Sequence, residues 1–126
     1  MSKKNLLLSL AGIILLTSFL KQEEVSVTMK APASVKPGGD FLVEITINKG
    51  TTTGFGQIKQ ELPDGFKAEA KVKNGGEFKM SGQTLRFTWT ELPAENQFKA
   101  TYRVTLDPKV KGKQTIGGKF SSAKEL

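Results

Sequence analysis

Beyond residue 24, apolar and polar side chains take turns along the chain. Val25, Val27 and Met29 share one phase, and Phe41, Val43, Ile45 and Ile47 alternate with Leu42, Glu44, Thr46 and Asn48. Phe66, Ala68, Ala70 and Val72 alternate with Lys67, Glu69, Lys71 and Lys73. The same rhythm returns at Leu85, Phe87 and Trp89, and again at Phe98, Ala100, Tyr102, Val104 and Leu106. A strand turns successive side chains to opposite faces, so this spacing buries one face and wets the other. No stretch of ten or more residues past the first twenty has the i, i+3, i+4, i+7 spacing of an amphipathic helix. Clean alternation predicts antiparallel sheets with one solvated face rather than a parallel sheet covered by helices.

The residues between these runs are turn formers. Pro37-Gly38 suits the centre of a type II turn, where Pro presets φ and Gly accepts φ > 0. Leu62-Pro63-Asp64-Gly65 suits a type I turn, Asn74-Gly75 a type I′ hairpin, and Ser81-Gly82 a second hairpin. Residues 66–90 therefore read as a meander with a short strand at 77–80 in its middle. Eight segments emerge: 25–30, 40–48, 54–62, 66–73, 77–80, 83–90, 98–106 and 113–121. The predicted fold is all-β, an immunoglobulin-like antiparallel β-sandwich of seven to nine strands. A closed barrel is the architectural rival. Glu61-Leu-Pro-Asp-Gly-Phe66 and Glu91-Leu-Pro-Ala-Glu-Asn-Gln-Phe98 echo each other as two similar corners between strands.

The first twenty residues break the rhythm. Lys3 and Lys4 precede an apolar run from Leu6 to Leu20, interrupted by Ser9, Gly12, Thr17 and Ser18. A bilayer-spanning helix needs about 20 apolar residues. A shorter terminal run behind lysines reads as a secretory signal peptide over 1–20, with an uncleaved N-terminal anchor as the alternative. Residues 21–126 are then one Ig-like domain, exported to the periplasm, the cell surface or the medium. Without Cys there is no residue to acylate as a lipoprotein and no disulfide, so the exported part holds together by burial alone.

Composition removes much chemistry. The chain has no His and no Cys among its 126 residues, which takes away the commonest general base, the thiol nucleophile and the usual zinc and iron ligands. Asp64, Glu91, Glu61 and Glu95 have no spacing that assembles an acid–base pair of the glycosidase kind. Asp40, Asp64 and Asp107 are isolated, with no calcium-loop run. Ser34-Val35-Lys36 and Ser121-Ser-Ala-Lys124 have no partner base. Thr51-Thr-Thr-Gly-Phe-Gly56 is not a phosphate loop, since no helix follows it. A Lys–Asn isopeptide crosslink is not expected, because the lysines fall on the polar phase and the last strand lacks Asn. The chain is expected to be no enzyme, with no catalytic residue, metal or cofactor, and the ligand-binding residues are left unassigned.

What remains is basic surface. The formal charge is +7, and removing Lys3 and Lys4 takes it to +5. Lys67, Lys71, Lys73, Lys79 and Arg86 fall outward on what read as adjacent meander strands, and Lys59, Lys99 and Arg103 outward on the opposite sheet. Such surface attracts an anionic partner, such as an acidic polysaccharide, an envelope polymer or a membrane surface. Lysine at the edges also keeps sheets from pairing with one another. Nucleic acid is not expected, because the aromatics fall on the buried phase and cannot stack on bases. Trp89 is placed in the core against Phe41 and Tyr102, and the Tyr102 hydroxyl is a candidate for a corner bond. Phe55 at a Thr/Gly loop is the remaining ring for contact with a ligand.

The order of these elements resembles the Ig-like modules of bacterial surface and secreted proteins. The resemblance is carried by Val35-Lys-Pro-Gly-Gly-Asp40 ahead of a strand, by Glu61-Leu-Pro-Asp-Gly-Phe66 and by Leu85-Arg-Phe-Thr-Trp89, over about residues 25–120. It is similar also to cohesin-like modules of the carbohydrate-binding-domain superfamily. The resemblance implies adhesion, spacing or protein binding through sandwich faces, edges or loops, not catalysis. The expected partner is a protein or an anionic glycan or envelope polymer, and the membrane is met only through an uncleaved leader. A carbohydrate-binding module stacking sugar on Phe55 or Trp89 is the alternative, and a hydrolase with an unrecognised carboxylate pair the third reading.

Overall fold

A computed structural model of the chain describes residues 25–122, and before them only the backbone pairing of β1 (Leu6–Leu8) and β2 (Ile13–Ile14). The leader expected over 1–20 otherwise lies outside the described residues. Eight further strands follow: β3 (Ser26–Lys30), β4 (Asp40–Asn48), β5 (Gly56–Glu61), β6 (Phe66–Val72), β7 (Glu77–Ser81), β8 (Thr84–Trp89), β9 (Gln97–Leu106) and β10 (Gln114–Ser122). Each matches an expected segment to within two residues. They form two antiparallel sheets, β2-β1-β10-β5-β8-β7 and β3-β4-β9-β6, packed face to face. The sandwich is the fold, and the barrel is set aside because β6 and β7 pair in different sheets.

The period-two pattern fills the space between the sheets. Ile58, Leu85, Phe87 and Trp89 of one sheet and Val43, Ile45, Ile47, Ala100, Tyr102 and Val104 of the other are wholly shielded from water. Each large apolar side chain so buried contributes roughly 1.5–3 kcal/mol. Phe87 lies at the centre. Its ring is 5.1 Å from Phe78, 5.9 Å from Trp89 and 6.3 Å from Tyr102, and Trp89 meets Phe98 edge-on at 5.2 Å. The expected Trp89 environment is thus right in kind, but its ring neighbours are Phe87 and Phe98, while Phe87 is the ring that faces Tyr102.

Turn chemistry is realised with two changes. Gly38 takes φ 75° in a turn closed by Gly39 N–H donating to Lys36 C=O, as Pro37-Gly38 predicts. The 62–65 turn closes one residue later, through Phe66 N–H to Pro63 C=O, because Gly65 is the residue that takes positive φ. Asn74 (φ 48°) and Gly75 (φ 83°) do form a type I′ turn, closed by Gly76 N–H to Lys73 C=O. The turn does not join a hairpin, however. β6 leaves it to pair with β9, and β7 pairs with β8 in the facing sheet, so the expected three-strand meander is only a β7-β8 hairpin. The side chains at the turn explain the split. The Trp89 indole N–H of β8 donates to the carbonyls of Lys73 and Asn74 at 3.0 and 3.1 Å. The Asn74 amide donates to the Lys99 carbonyl of β9. The turn is therefore tied to both sheets and caps one end of the sandwich. Gly76 is required there, since a Cβ would stand 2.7 Å from the indole.

Candidate functional site

Outward side chains make up the accessible surface of the two sheets, and pairing register decides which of them are neighbours. On the β3-β4-β9-β6 face, register sets Lys99 of β9 opposite Thr46 of β4, and Arg103 between Leu42 and Glu69. Three cations here have acidic partners, while Lys30 and Lys67 enter no ion pair among the described residues. Lys99 lies 3.1 Å from Glu44, Arg103 3.3 Å from Asp40, and Lys71 3.7 Å from Glu69. The two large apolar side chains exposed among the described residues, Leu42 and Val72, stand on this face.

The β10-β5-β8-β7 face is arranged otherwise. Lys119 of β10 is opposite Lys59 of β5, Lys59 is opposite Arg86 of β8, and Arg86 is opposite Lys79 of β7. Four cations thus form one straight row across four strands. Neighbouring strands are about 4.8 Å apart, so the row is about 14 Å long. None of the four enters an ion pair among the described residues. The next row to one side is Ser121, Gln57, Thr88 and Glu77, and to the other Gly117, Glu61, Thr84 and Ser81. Gln57 donates to Thr88 Oγ1 at 3.2 Å, and Thr84 Oγ1 donates to Glu61 at 2.9 Å. Lys59, Glu61, Gly118 and Lys119 bound a shallow depression of about 300 Å³.

The expected grouping of basic residues is corrected by this register. Lys67 and Lys71 sit with Lys99 and Arg103, and Lys59 sits with Lys79 and Arg86, because the chain changes sheets at Asn74. Lys119 completes the row and was legible as lying on the phase opposite to Ile116 and Phe120. The expectation that the lysines stay on the polar phase fails at Lys49. It continues the inward phase of Ile45 and Ile47, is 1% exposed, and donates from Nζ to the Thr52 carbonyl at 2.9 Å.

The remaining candidates are placed as follows. Trp89 is fully buried and presents no ring to a sugar, while Phe55 is half-buried in its loop. Tyr102 makes no corner bond to backbone. Its hydroxyl crosses the core to the Gln60 side-chain oxygen at 2.5 Å, and the Gln60 amide donates to Met29 Sδ at 2.9 Å. Burial pushes the pKa of this hydroxyl well above the usual phenol value. Gln60 was legible as the inward phase of Ile58. Among the acids, Glu91 accepts Gly54 N–H at 3.0 Å and Asp107 accepts Lys109 N–H at 2.8 Å, both holding loops. Asp64 and Asp107 do line one open depression of about 540 Å³ with Lys109, Lys111 and Gln114, but both are exposed to water. Among the described residues no three acids gather as a metal site.

No protein-family model matches the chain, and no curated protein matches it in sequence. Solved structures do match its fold. CaCohA2 from Clostridium acetobutylicum superposes with TM-score 0.61 at 13% identity, over 79% of this chain and 81% of that one. The chitin-binding domain of a chitinase from Pyrococcus furiosus gives 0.53 at 12%, over 79% and 95%. The chitin-binding domain of Chi18aC from Streptomyces coelicolor gives 0.50 at 10%, over 74% and 90%. The expected cohesin-like, Ig-like β-sandwich is therefore the fold observed, and structures sharing it include binding domains.

Proposed function

We propose that the chain is an exported, non-catalytic binding module of the cell envelope, and that it takes its partner on the outer face of β10-β5-β8-β7. The observation that carries this reading is the row Lys119, Lys59, Arg86 and Lys79, four cations held side by side with no acidic partner. Like charges directly opposite each other in a sheet are destabilising. A negatively charged partner relieves that cost and gains from the combined field of the row. The partner is an envelope polymer, protein or glycan. The structural neighbours include domains that bind chitin, and the same fold is compatible with a protein partner. A module that stacks neutral sugars is the second reading, in which the half-buried Phe55 would have to supply the ring, since Trp89 is buried.

The test is retention of envelope material by the immobilised full chain and by two charge-matched variants. Lys59→Gln/Arg86→Gln removes the centre of the row, and Lys99→Gln/Arg103→Gln removes the same charge from the opposite face. The reading expects the first pair to lose retained material and the second to keep it. Equal retention by both variants counts against it. Sequencing the N-terminus of exported protein checks the leader, with a start near residues 19–23 expected.

A further inference from the structure

Resting on that reading, we infer that the row holds a linear acidic polysaccharide, laid across the strands with its carboxylates on Lys119, Lys59, Arg86 and Lys79. The row is straight, one residue wide and about 14 Å long at the usual strand spacing. A line of point charges matches a chain with anionic groups repeated along it better than it matches one compact anion. Three of the four cations are lysines, whose mobile ammonium groups follow a repeat without demanding the fixed fork geometry of arginine.

The flanking rows point to sugar. Gln57, Thr88 and Ser121 on one side and Thr84 and Ser81 on the other offer amide and hydroxyl groups at the spacing of the cations. These groups both donate and accept hydrogen bonds, as the hydroxyls of a glycan require. Glu61 and Glu77 stand off the row on opposite flanks, where they repel an anionic chain that strays from it. At one end, Gly117 and Gly118 leave the sheet surface low. A Cβ on Gly117 would meet nothing within 4 Å, and the depression bounded by Lys59, Glu61, Gly118 and Lys119 gives a ring room beside the first two charges.

Other occupants fit less well. Stable protein interfaces centre on apolar or aromatic anchors in a desolvated core. Among the described residues this face has none, since the exposed Leu42 and Val72 both belong to the opposite one. A membrane surface is held firmly only when apolar side chains add to the charge, and they are missing here for the same reason. Neutral polysaccharide finds no fully exposed ring among the described residues of this face.

The experiment is calorimetric titration of the full chain with polygalacturonate, with its fully methyl-esterified form, with polyglycerol phosphate, and with phosphatidylglycerol vesicles. Polygalacturonate is expected to bind, weakening as salt rises, and the ester to bind at least about tenfold more weakly. Lys59→Gln/Arg86→Gln is expected to lose about tenfold or more for polygalacturonate, while Lys99→Gln/Arg103→Gln stays within about twofold. Lys119→Gln/Lys79→Gln, which trims only the ends, is expected to fall between them. These variants change exposed or half-exposed side chains, and unchanged thermal unfolding confirms that each is folded. Equal losses from both faces, equal binding of ester and acid, or tighter binding of polyglycerol phosphate or vesicles would overturn the assignment. If polygalacturonate fails while retention of envelope material still depends on the row, the glycan assignment falls and the binding-module reading stands. If both fail, both fall.

Discussion

On the β3-β4-β9-β6 face, Lys99 and Arg103 each sit within 3.3 Å of a carboxylate, whereas on the β10-β5-β8-β7 face Lys59, Arg86, Lys79 and Lys119 stand in single file with none. The strands of each face carry a similar surplus of positive charge. Placement separates them. In the first, register and ion pairing spread the charge and leave Leu42 and Val72 among polar neighbours. In the second, the same kinds of side chain are gathered where they repel. Composition and net charge cannot tell these faces apart. Only pairing register does, and register is set by where the chain changes sheets.

The comparison breaks first at that change of sheet. Trp89→Phe removes the indole N–H that holds the Lys73 and Asn74 carbonyls and leaves a gap against Phe98. A loss of about 2–4 kcal/mol in denaturant unfolding is expected. A loss below about 0.5 kcal/mol, the size of an ordinary surface change, would mean that the indole does not hold the corner.

A smaller effect concerns the tie between the sheets. Tyr102→Phe leaves the buried Gln60 oxygen without its donor and is expected to cost about 1–2 kcal/mol. Its pH signature is specific. The folded hydroxyl titrates above its unfolded value, so the protonated form is favoured by folding. Its contribution is complete below the unfolded value of about 10 and is lost above it, by about 1.4 kcal/mol per pH unit. The Phe variant should lack that component. Identical alkaline limbs for the two proteins would contradict it.

The smallest effects sharpen the contrast most. In double-mutant cycles to Gln, the Lys59–Arg86 coupling should be unfavourable and the Lys99–Glu44 coupling favourable, each about 0.2–1 kcal/mol. Added salt should shrink both towards zero. Couplings of the same sign on the two faces would end the distinction drawn here.

The strands, their inward residues and most turns were legible because each depends on neighbours close in sequence. Period two fixes a side chain's face, and Gly38, Gly65 and Gly82 mark where φ must turn positive. Pairing partners were not legible. Asn74-Gly75 satisfies a hairpin and a corner equally well, and what decides is an indole fifteen residues on together with a carbonyl at Lys99. The basic row is hidden for the same reason, since a hairpin at Asn74-Gly75 would put Lys59 in the sheet opposite Lys79 and Arg86, whereas register puts them side by side. Lys49 and Gln60 show the converse. Both lay on the inward phase in plain view, and both are polar residues for which the fold supplies partners at the end or the middle of the core.

The central place of β9 has a kinetic corollary. It lies between β4 and β6, so both wait for residues 97–106 before either gains its main neighbour. Among strands β3 to β10, β3-β4 and β7-β8 pair with their neighbours in sequence, and the other pairings join distant stretches. Long-range closure of this kind is slow, on the order of milliseconds to seconds for β-rich domains. The β4-β9-β6 part of the sandwich therefore cannot close until the last third of the chain is present.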